Sequence, residues 1–151
     1  MNDSDKKTHI RNRVAAIIIK EDKILLVQHE KNDRKYWLIP GGGVEFGETL
    51  EEAAKRELQE ECSLDIELGD LIFISETIPP DNHRHVINYY FEAKISGGDM
   101  KVNPDKVLRD AQWQRIEDLP HMVIYPQTTR EILEWAQSKT VEKISIGNRW
   151  D

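Results

Sequence analysis

Apolar residues along this chain fall into short β-branched runs separated by polar turns, and into two stretches with helical spacing. Arg13 to Lys20 (RVAAIIIK) and Lys23 to Glu30 (KILLVQHE) read as two strands meeting at a tight turn over Glu21-Asp22. A polar, basic loop over Lys31 to Lys35 leads to a short strand, Tyr36 to Ile39. Pro40 stops that strand because it lacks the N–H a ladder needs. Leu64 to Thr77 reads as extended with a break near Gly69-Asp70, and Pro79 to Asn82 as a loop. His85 to Ile95 and Ala111 to Ile116 are further strands.

The helical period appears twice. Thr49 to Cys62 (TLEEAAKRELQEEC) is dense in strong helix formers, with Thr49 as N-cap and Glu52 as its capping-box partner. Pro126 is expected to open a second helix running to about Ser138, with Ile132, Leu133, Trp135 and Ala136 as its apolar stripe. Strands alternating with two helices predict an α/β layered fold, one domain over residues 10–139. Met1 to His9 is polar and expected to be disordered, while Thr140 to Asp151 has no readable period.

Composition narrows the function. With 28 acidic against 21 basic residues the formal charge is -7, which opposes a nucleic acid polymer as partner, since that affinity rests on Lys and Arg neutralising phosphates. A small phosphorylated substrate stays open, because a divalent cation reverses the local field. The single Cys62 cannot form an internal disulfide, and no apolar run reaches the roughly 18 residues a membrane helix needs. The expectation is a cytoplasmic protein with no membrane partner.

One pattern breaks the ordinary rule that acids sit on the solvated face. On a wheel at roughly 100° per residue, Leu50, Ala53, Ala54 and Leu58 define the apolar stripe of Thr49 to Cys62, yet Glu57 and Glu61 fall inside it. Glu60 lies about 60° from Glu57 on the same wheel, so the three acids form one cluster within reach of a single ion. They repel each other, and Glu60 and Glu61 oppose the helix dipole, so something positive must compensate. Carboxylates are hard ligands suited to Mg²⁺ or Mn²⁺. Upstream, Gly41-Gly42-Gly43 allows a close backbone approach of the kind a phosphate site uses.

The string Gly42 to Leu64, GGVEFGETLEEAAKRELQEECSL, resembles the signature box of the Nudix hydrolases. Gly42, Glu48, Arg56, Glu57, Leu58, Glu60, Glu61 and Leu64 match; Ser63 stands where the family has glycine. That position favours a left-handed backbone, which costs an L-residue about 1 to 2 kcal/mol. Trp37 to Gly42 and Trp113 with Glu117-Asp118-Leu119-Pro120 resemble the family's flanking segments.

The resemblance implies a Nudix-type α/β/α sandwich around a mixed β-sheet. It implies hydrolysis of a nucleoside diphosphate linked to another group, giving a nucleoside monophosphate and the phosphorylated group. Glu57, Glu60 and Glu61 would bind Mg²⁺ or Mn²⁺, helped by the Gly41 carbonyl, and Arg56 would orient the acids through an ion pair with Glu48. The base would be Glu57 or a later acid such as Glu92, Asp110 or Glu117. Pro79 and Pro80 resemble the downstream proline of ADP-ribose pyrophosphatases, so ADP-ribose or a nucleoside diphosphate sugar is favoured. Arg13, Arg34, Lys35, Arg84 and His85 are candidate phosphate or ribose contacts; Phe46, Tyr36 or Tyr89 are candidate stacking residues for a base. The alternatives are a nucleoside triphosphate pyrophosphohydrolase and a non-catalytic nucleotide-binding module, the second disfavoured by the intact acid cluster. A homodimer is the oligomeric state the resemblance implies.

Overall fold

The computed structural model describes residues 9–150. The disordered N-terminal segment expected up to His9 therefore lies, His9 apart, outside the described residues. The elements are β1 (Arg11–Lys20), β2 (Lys23–Lys31), β3 (Arg34–Leu38), β4 (Gly41–Gly43), α1 (Leu50–Cys62), β5 (Asp65–Thr77), β6 (Val86–Gly97), β7 (Leu108–Arg115), a 3₁₀ helix (Ile116–His121), α2 (Thr129–Ser138) and β8 (Ser145–Asn148).

The sheet is mixed. Its strands run β3-β2-β1-β6-β5-β8, with β4 paired to β1 and β7 to β2. β1 lies parallel to β6 and antiparallel to β4, while β8 lies parallel to β5. Alternate residues of β1 feed opposite cores, as the two-residue period of a strand requires. Val14, Ala16 and Ile18 join Ala53, Ala54, Leu58 and Cys62 of α1 on one face. Ala15 and Ile17 join Phe73, Tyr90 and Ile132 of α2 on the other. Helices on both faces of one sheet make this an α/β/α sandwich. Among the described residues no helix is long and apolar enough to cross a membrane.

Four local readings change. The loop expected over Lys31 to Lys35 is a two-residue hairpin: Asn32 and Asp33 take φ of 54° and 62°, the double left-handed turn that matches strand twist. The expected break at Gly69-Asp70 is a bulge, since Leu68 pairs with Ala93 and Leu71 with Phe91, one extra residue on β5 within a continuous strand. Helix α2 begins at Thr129, with Thr128 as N-cap, and not at Pro126. Trp37 explains that shift: its N–H donates to the Val123 carbonyl and its carbonyl accepts from the Tyr125 N–H, holding the approach to Pro126 extended along β3. Finally, the unreadable tail contributes β8, tied to β5 by the Ile74 N–H to the Ile144 carbonyl at 2.6 Å and by Arg149 N–H to Glu76 carbonyl at 2.8 Å.

Candidate active site

Pro40 hands the chain to β4, which β1 holds in place: the Ala16 N–H donates to the Pro40 carbonyl at 2.9 Å, and Val14 faces Gly42 across the ladder. A Cβ on Gly41 would overlap the Val14 carbonyl oxygen, and a Cβ on Gly42 would overlap the Glu57 carboxylate. The bare backbone of β4 is thus the floor on which the acidic face of α1 rests. Gly42→Ala is expected to displace Glu57 and lower kcat by about 10²-fold, the cost of roughly 1 Å of misplacement. Steady-state kinetics beside a circular dichroism spectrum of the folded variant checks this.

The turn into α1 is held by its own side chains. Glu45 N–H donates to Glu48 Oε1 at 3.0 Å, and the Thr49 hydroxyl accepts from the Glu52 N–H at 3.0 Å, the N-cap bond. The Glu52 carboxylate accepts from the Thr49 hydroxyl at 3.2 Å, where a full capping box would use the Thr49 N–H.

Arg56 organises the acids. It grips Glu48 with Nε and one terminal nitrogen at 2.7 and 2.9 Å, and donates to Glu57 at 2.8 Å, Glu60 at 3.3 Å and the Gly43 carbonyl at 2.9 Å. Glu61 Oε1 accepts from the Gly41 N–H at 2.9 Å. Arg13, on β1, donates to the Ile39 carbonyl at 2.9 Å, and its charge acts on both Glu57 and Glu61.

These contacts tune the carboxyls differently. The Arg56 hydrogen bonds, with the Glu45 N–H, hold Glu48 down at about 2. Burial raises Glu57 above the usual carboxylate range against the pull of Arg56. Burial pushes Glu61 up to about 8, opposed first by Arg13, with Glu57 adding to the rise. An acid whose folded value is raised stays protonated in the folded state after the unfolded chain has released its proton, so stability falls as pH climbs from about 4.5 to about 8. In chelator, Tm is expected to decline across that window, and Glu61→Gln to flatten the decline; thermal melts at stepped pH measure both.

The donor set has the chemistry of a hard cation site, three carboxylates beside a glycine backbone. Among the described residues no three acidic, histidine or cysteine side chains converge as a ready ligand cage. Arg56 meanwhile occupies oxygens of Glu57 and Glu60.

The remaining candidates are spread out. Phe46 is fully exposed on the loop before α1. Arg34 and Lys35 lie exposed at the start of β3. Arg84 sits 5.5 Å over the Trp150 ring and donates to the Tyr125 hydroxyl, and His85 meets Glu76 at 3.2 Å; neither is bonded to the acid cluster. His83 pairs with Asp81 at 2.6 Å. Tyr36 packs edge-on to Tyr125, and the Tyr89 hydroxyl donates to Asn12. Of the later acids, Asp110 accepts from Gln112, Glu117 pairs with Arg115, and Glu92 lies beside Gly69.

Sequence reasoning passed over three residues. The Arg11 guanidinium lies against Gly43, where a Cβ would come within 2.9 Å of it. Asp105 accepts N–H bonds from Val107 and Leu108 while its charge raises Glu61 further. Asn103 donates its backbone N–H to the Glu61 carbonyl at 3.0 Å. Alternation along β1, which places Arg11 on the same side as Arg13, was the available signal for the first; the others come from a segment without a pattern.

The profile of the NUDIX domain family matches residues 9–136. The chain is 32% identical over 124 residues to an ADP-ribose pyrophosphatase of Methanocaldococcus jannaschii, covering 81% of this chain and 72% of that protein. It is 34% identical over 121 residues to the NAD-capped RNA hydrolase NudC of Pectobacterium atrosepticum, covering 80% of this chain but only 45% of the relative's length. Among solved structures, a NUDIX hydrolase from Nitrosomonas europaea superposes with a TM-score of 0.77 at 21% identity, over 88% of this chain and 92% of that one, a likeness of fold. A MutT NUDIX hydrolase from Burkholderia pseudomallei does so with a TM-score of 0.71 at 27% identity, over 83% and 97%. With the acidic helix laid on its glycine floor and the family profile spanning most of the sandwich, the chain belongs to the Nudix hydrolases.

Proposed function

We propose that this enzyme is a metal-dependent pyrophosphohydrolase that cleaves ADP-ribose, or a related nucleoside diphosphate sugar, into a nucleoside monophosphate and a sugar phosphate. The observation that carries the reading is the acidic face of α1 on the glycine floor, with Arg56 bridging Glu57 and Glu60 and the Gly41 N–H holding Glu61. The likeness to the M. jannaschii ADP-ribose pyrophosphatase supports the substrate.

Glu57, Glu60 and Glu61 would hold Mg²⁺ or Mn²⁺, with the Gly41 carbonyl as a backbone ligand. A bound divalent cation neutralises the diphosphate and acidifies the attacking water. Arg56, itself held by Glu48, orients the Glu57 and Glu60 carboxylates that would hold the cation. Glu57 would accept the proton of the attacking water. The water oxygen forms a bond to one phosphorus, and the bond from that phosphorus to the bridging oxygen breaks in line. Arg13 brings cationic charge to Glu57 and Glu61, Arg11 lies against Gly43, and Phe46 offers an exposed ring for stacking.

The substrate is tested by kcat/KM on ADP-ribose, nucleotide sugars, NAD, dinucleoside polyphosphates and nucleoside triphosphates with Mg²⁺. ADP-ribose or a nucleotide sugar is expected to lead by at least about tenfold, which needs only about 1.4 kcal/mol of differential binding. Leading turnover of triphosphates would keep the acid chemistry and discard the substrate. NAD in first place would favour the kind of capped end that the name of the P. atrosepticum relative describes.

A further inference from the structure

We infer that Asn103 is a positioning residue for the acid cluster, and that the segment from Gly98 to Asn103 replaces the box glycine whose place Ser63 has taken. Ser63 holds a left-handed backbone, φ 59°, at the end of α1. Its hydroxyl does not hang free. It donates to the Lys101 carbonyl at 3.1 Å and accepts from the Asn103 amide at 3.1 Å. A glycine there could make neither bond.

The same segment ties down the last turn of α1 carbonyl by carbonyl. The Asn103 side-chain amide donates to the Glu60 carbonyl at 2.8 Å, the Asn103 N–H to the Glu61 carbonyl at 3.0 Å, and the Lys101 N–H to the Cys62 carbonyl at 2.9 Å. The last four carbonyls of a helix have no partner within it, and here three successive ones are satisfied from one strap. Two of those three residues carry the acid cluster.

The approach is built for this contact. Gly98 takes φ 85°, and a Cβ on it would overlap the Ser63 carbonyl, so a side chain at that position would lift the strap from the helix. Val102 packs into the core beneath α1. Four residues beyond the strap, the chain is fixed to β2 by the Glu30 N–H on the Val107 carbonyl at 2.8 Å. Pinning the carbonyls of Glu60 and Glu61 fixes the axial position and rotation of the turn from which both carboxylates project. A turn freed to fray would move Glu61 off the Gly41 N–H.

This inference rests on the proposed cation-binding role of those acids, so its test includes the wild type as its own control. Mn²⁺ binding to the free enzyme, followed by the loss of the aqueous Mn²⁺ paramagnetic resonance signal, is measured for wild type, Asn103→Ala and Asn103→Asp. Leu133→Ala, on α2 and packed in the opposite core, is the control for general loss of stability. Asn103 is exposed, so its truncation leaves both cores intact. Asn103→Ala is expected to raise the Mn²⁺ concentration for half saturation about tenfold, in the range seen when groups supporting metal ligands are removed. Asn103→Asp should raise it further, by adding an anion at the helix C-terminus. kcat should fall with KM for the nucleotide changed less than about twofold, since the strap supports the acids and not the substrate. Leu133→Ala should lower Tm without moving the Mn²⁺ curve. Wild-type Mn²⁺ binding in Asn103→Ala, or an equal weakening in Leu133→Ala, overturns the positioning role alone; absence of Mn²⁺ binding by the wild type overturns the cation assignment and this inference with it.

Discussion

Glu61→Gln is expected to lower hydrolysis by about 10³-fold while leaving the protein folded and, above neutral pH in chelator, more stable than the wild type. Glutamine keeps the acceptor for the Gly41 N–H, the 2.9 Å bond that anchors this side chain to β4. It removes the negative charge that burial disfavours, the cause that pushes this carboxyl up to about 8. The activity loss corresponds to about 4 kcal/mol at roughly 1.4 kcal/mol per decade, in line with the several kcal/mol a coordinated cation contributes to charge stabilisation at phosphorus. Opposite movements of stability and activity distinguish a lost cation ligand from simple damage. Turnover within about twofold of wild type would remove Glu61 from the site.

The largest stability effect is expected far from the acids, at Arg149. Its guanidinium spans both oxygens of Glu131 on α2 at 3.0 Å each, and Glu131 is 6% exposed. Arg149 also donates to the Gln127 carbonyl, and its N–H bonds the Glu76 carbonyl, so one residue ties α2 to β5 and to the end of β8. Removing one partner of a buried pair leaves an uncompensated charge, at a cost of roughly 3 to 5 kcal/mol. The Arg149 side chain is 30% exposed, and solvent screening places Arg149→Met near the lower end, about 3 kcal/mol. At about 2 to 4 °C per kcal/mol for a chain of this size, Tm should fall by roughly 10 °C. Adding Glu131→Leu to Arg149→Met should recover most of that loss, because it removes the orphaned carboxylate. A double variant as unstable as Arg149→Met would show that packing, and not charge, carries the contact. Differential scanning calorimetry of the three proteins decides it.

What the sequence made legible was local. Thr49 as a cap, the buried stripe of Ala53, Ala54 and Leu58, and the misplacement of Glu57 and Glu61 on that stripe all follow from spacing within one helix, while the left-handed backbone at Ser63 was an expectation of the family resemblance. The glycine triplet was read as a loop suited to phosphate, whereas β4 uses it for close contact with Val14 and Glu57. That difference depends on which strand lies opposite, which no short-range pattern records. The same holds for α2: Pro126 is a good first helical residue, but pairing of Val123 and Tyr125 with Trp37 overrides the preference. β8 escaped because an edge strand of four residues containing Gly147 carries too few alternating positions to declare itself. Arg149 and Asn103 were invisible for a related reason. Each acts through carbonyls and carboxylates distant in sequence, with no apolar period to point at it.

Cation-dependent hydrolysis of a phosphoric anhydride is the function proposed for the acids of α1. The most direct test is product analysis by ion-exchange chromatography after incubation with ADP-ribose, first with Mg²⁺, then with excess chelator, then with Mg²⁺ restored. AMP and ribose 5-phosphate are expected in equal amounts, lost in chelator, regained on adding Mg²⁺, and absent in the Glu57→Gln, Glu60→Gln, Glu61→Gln triple variant. Undiminished AMP release in chelator, or from the triple variant, would contradict it.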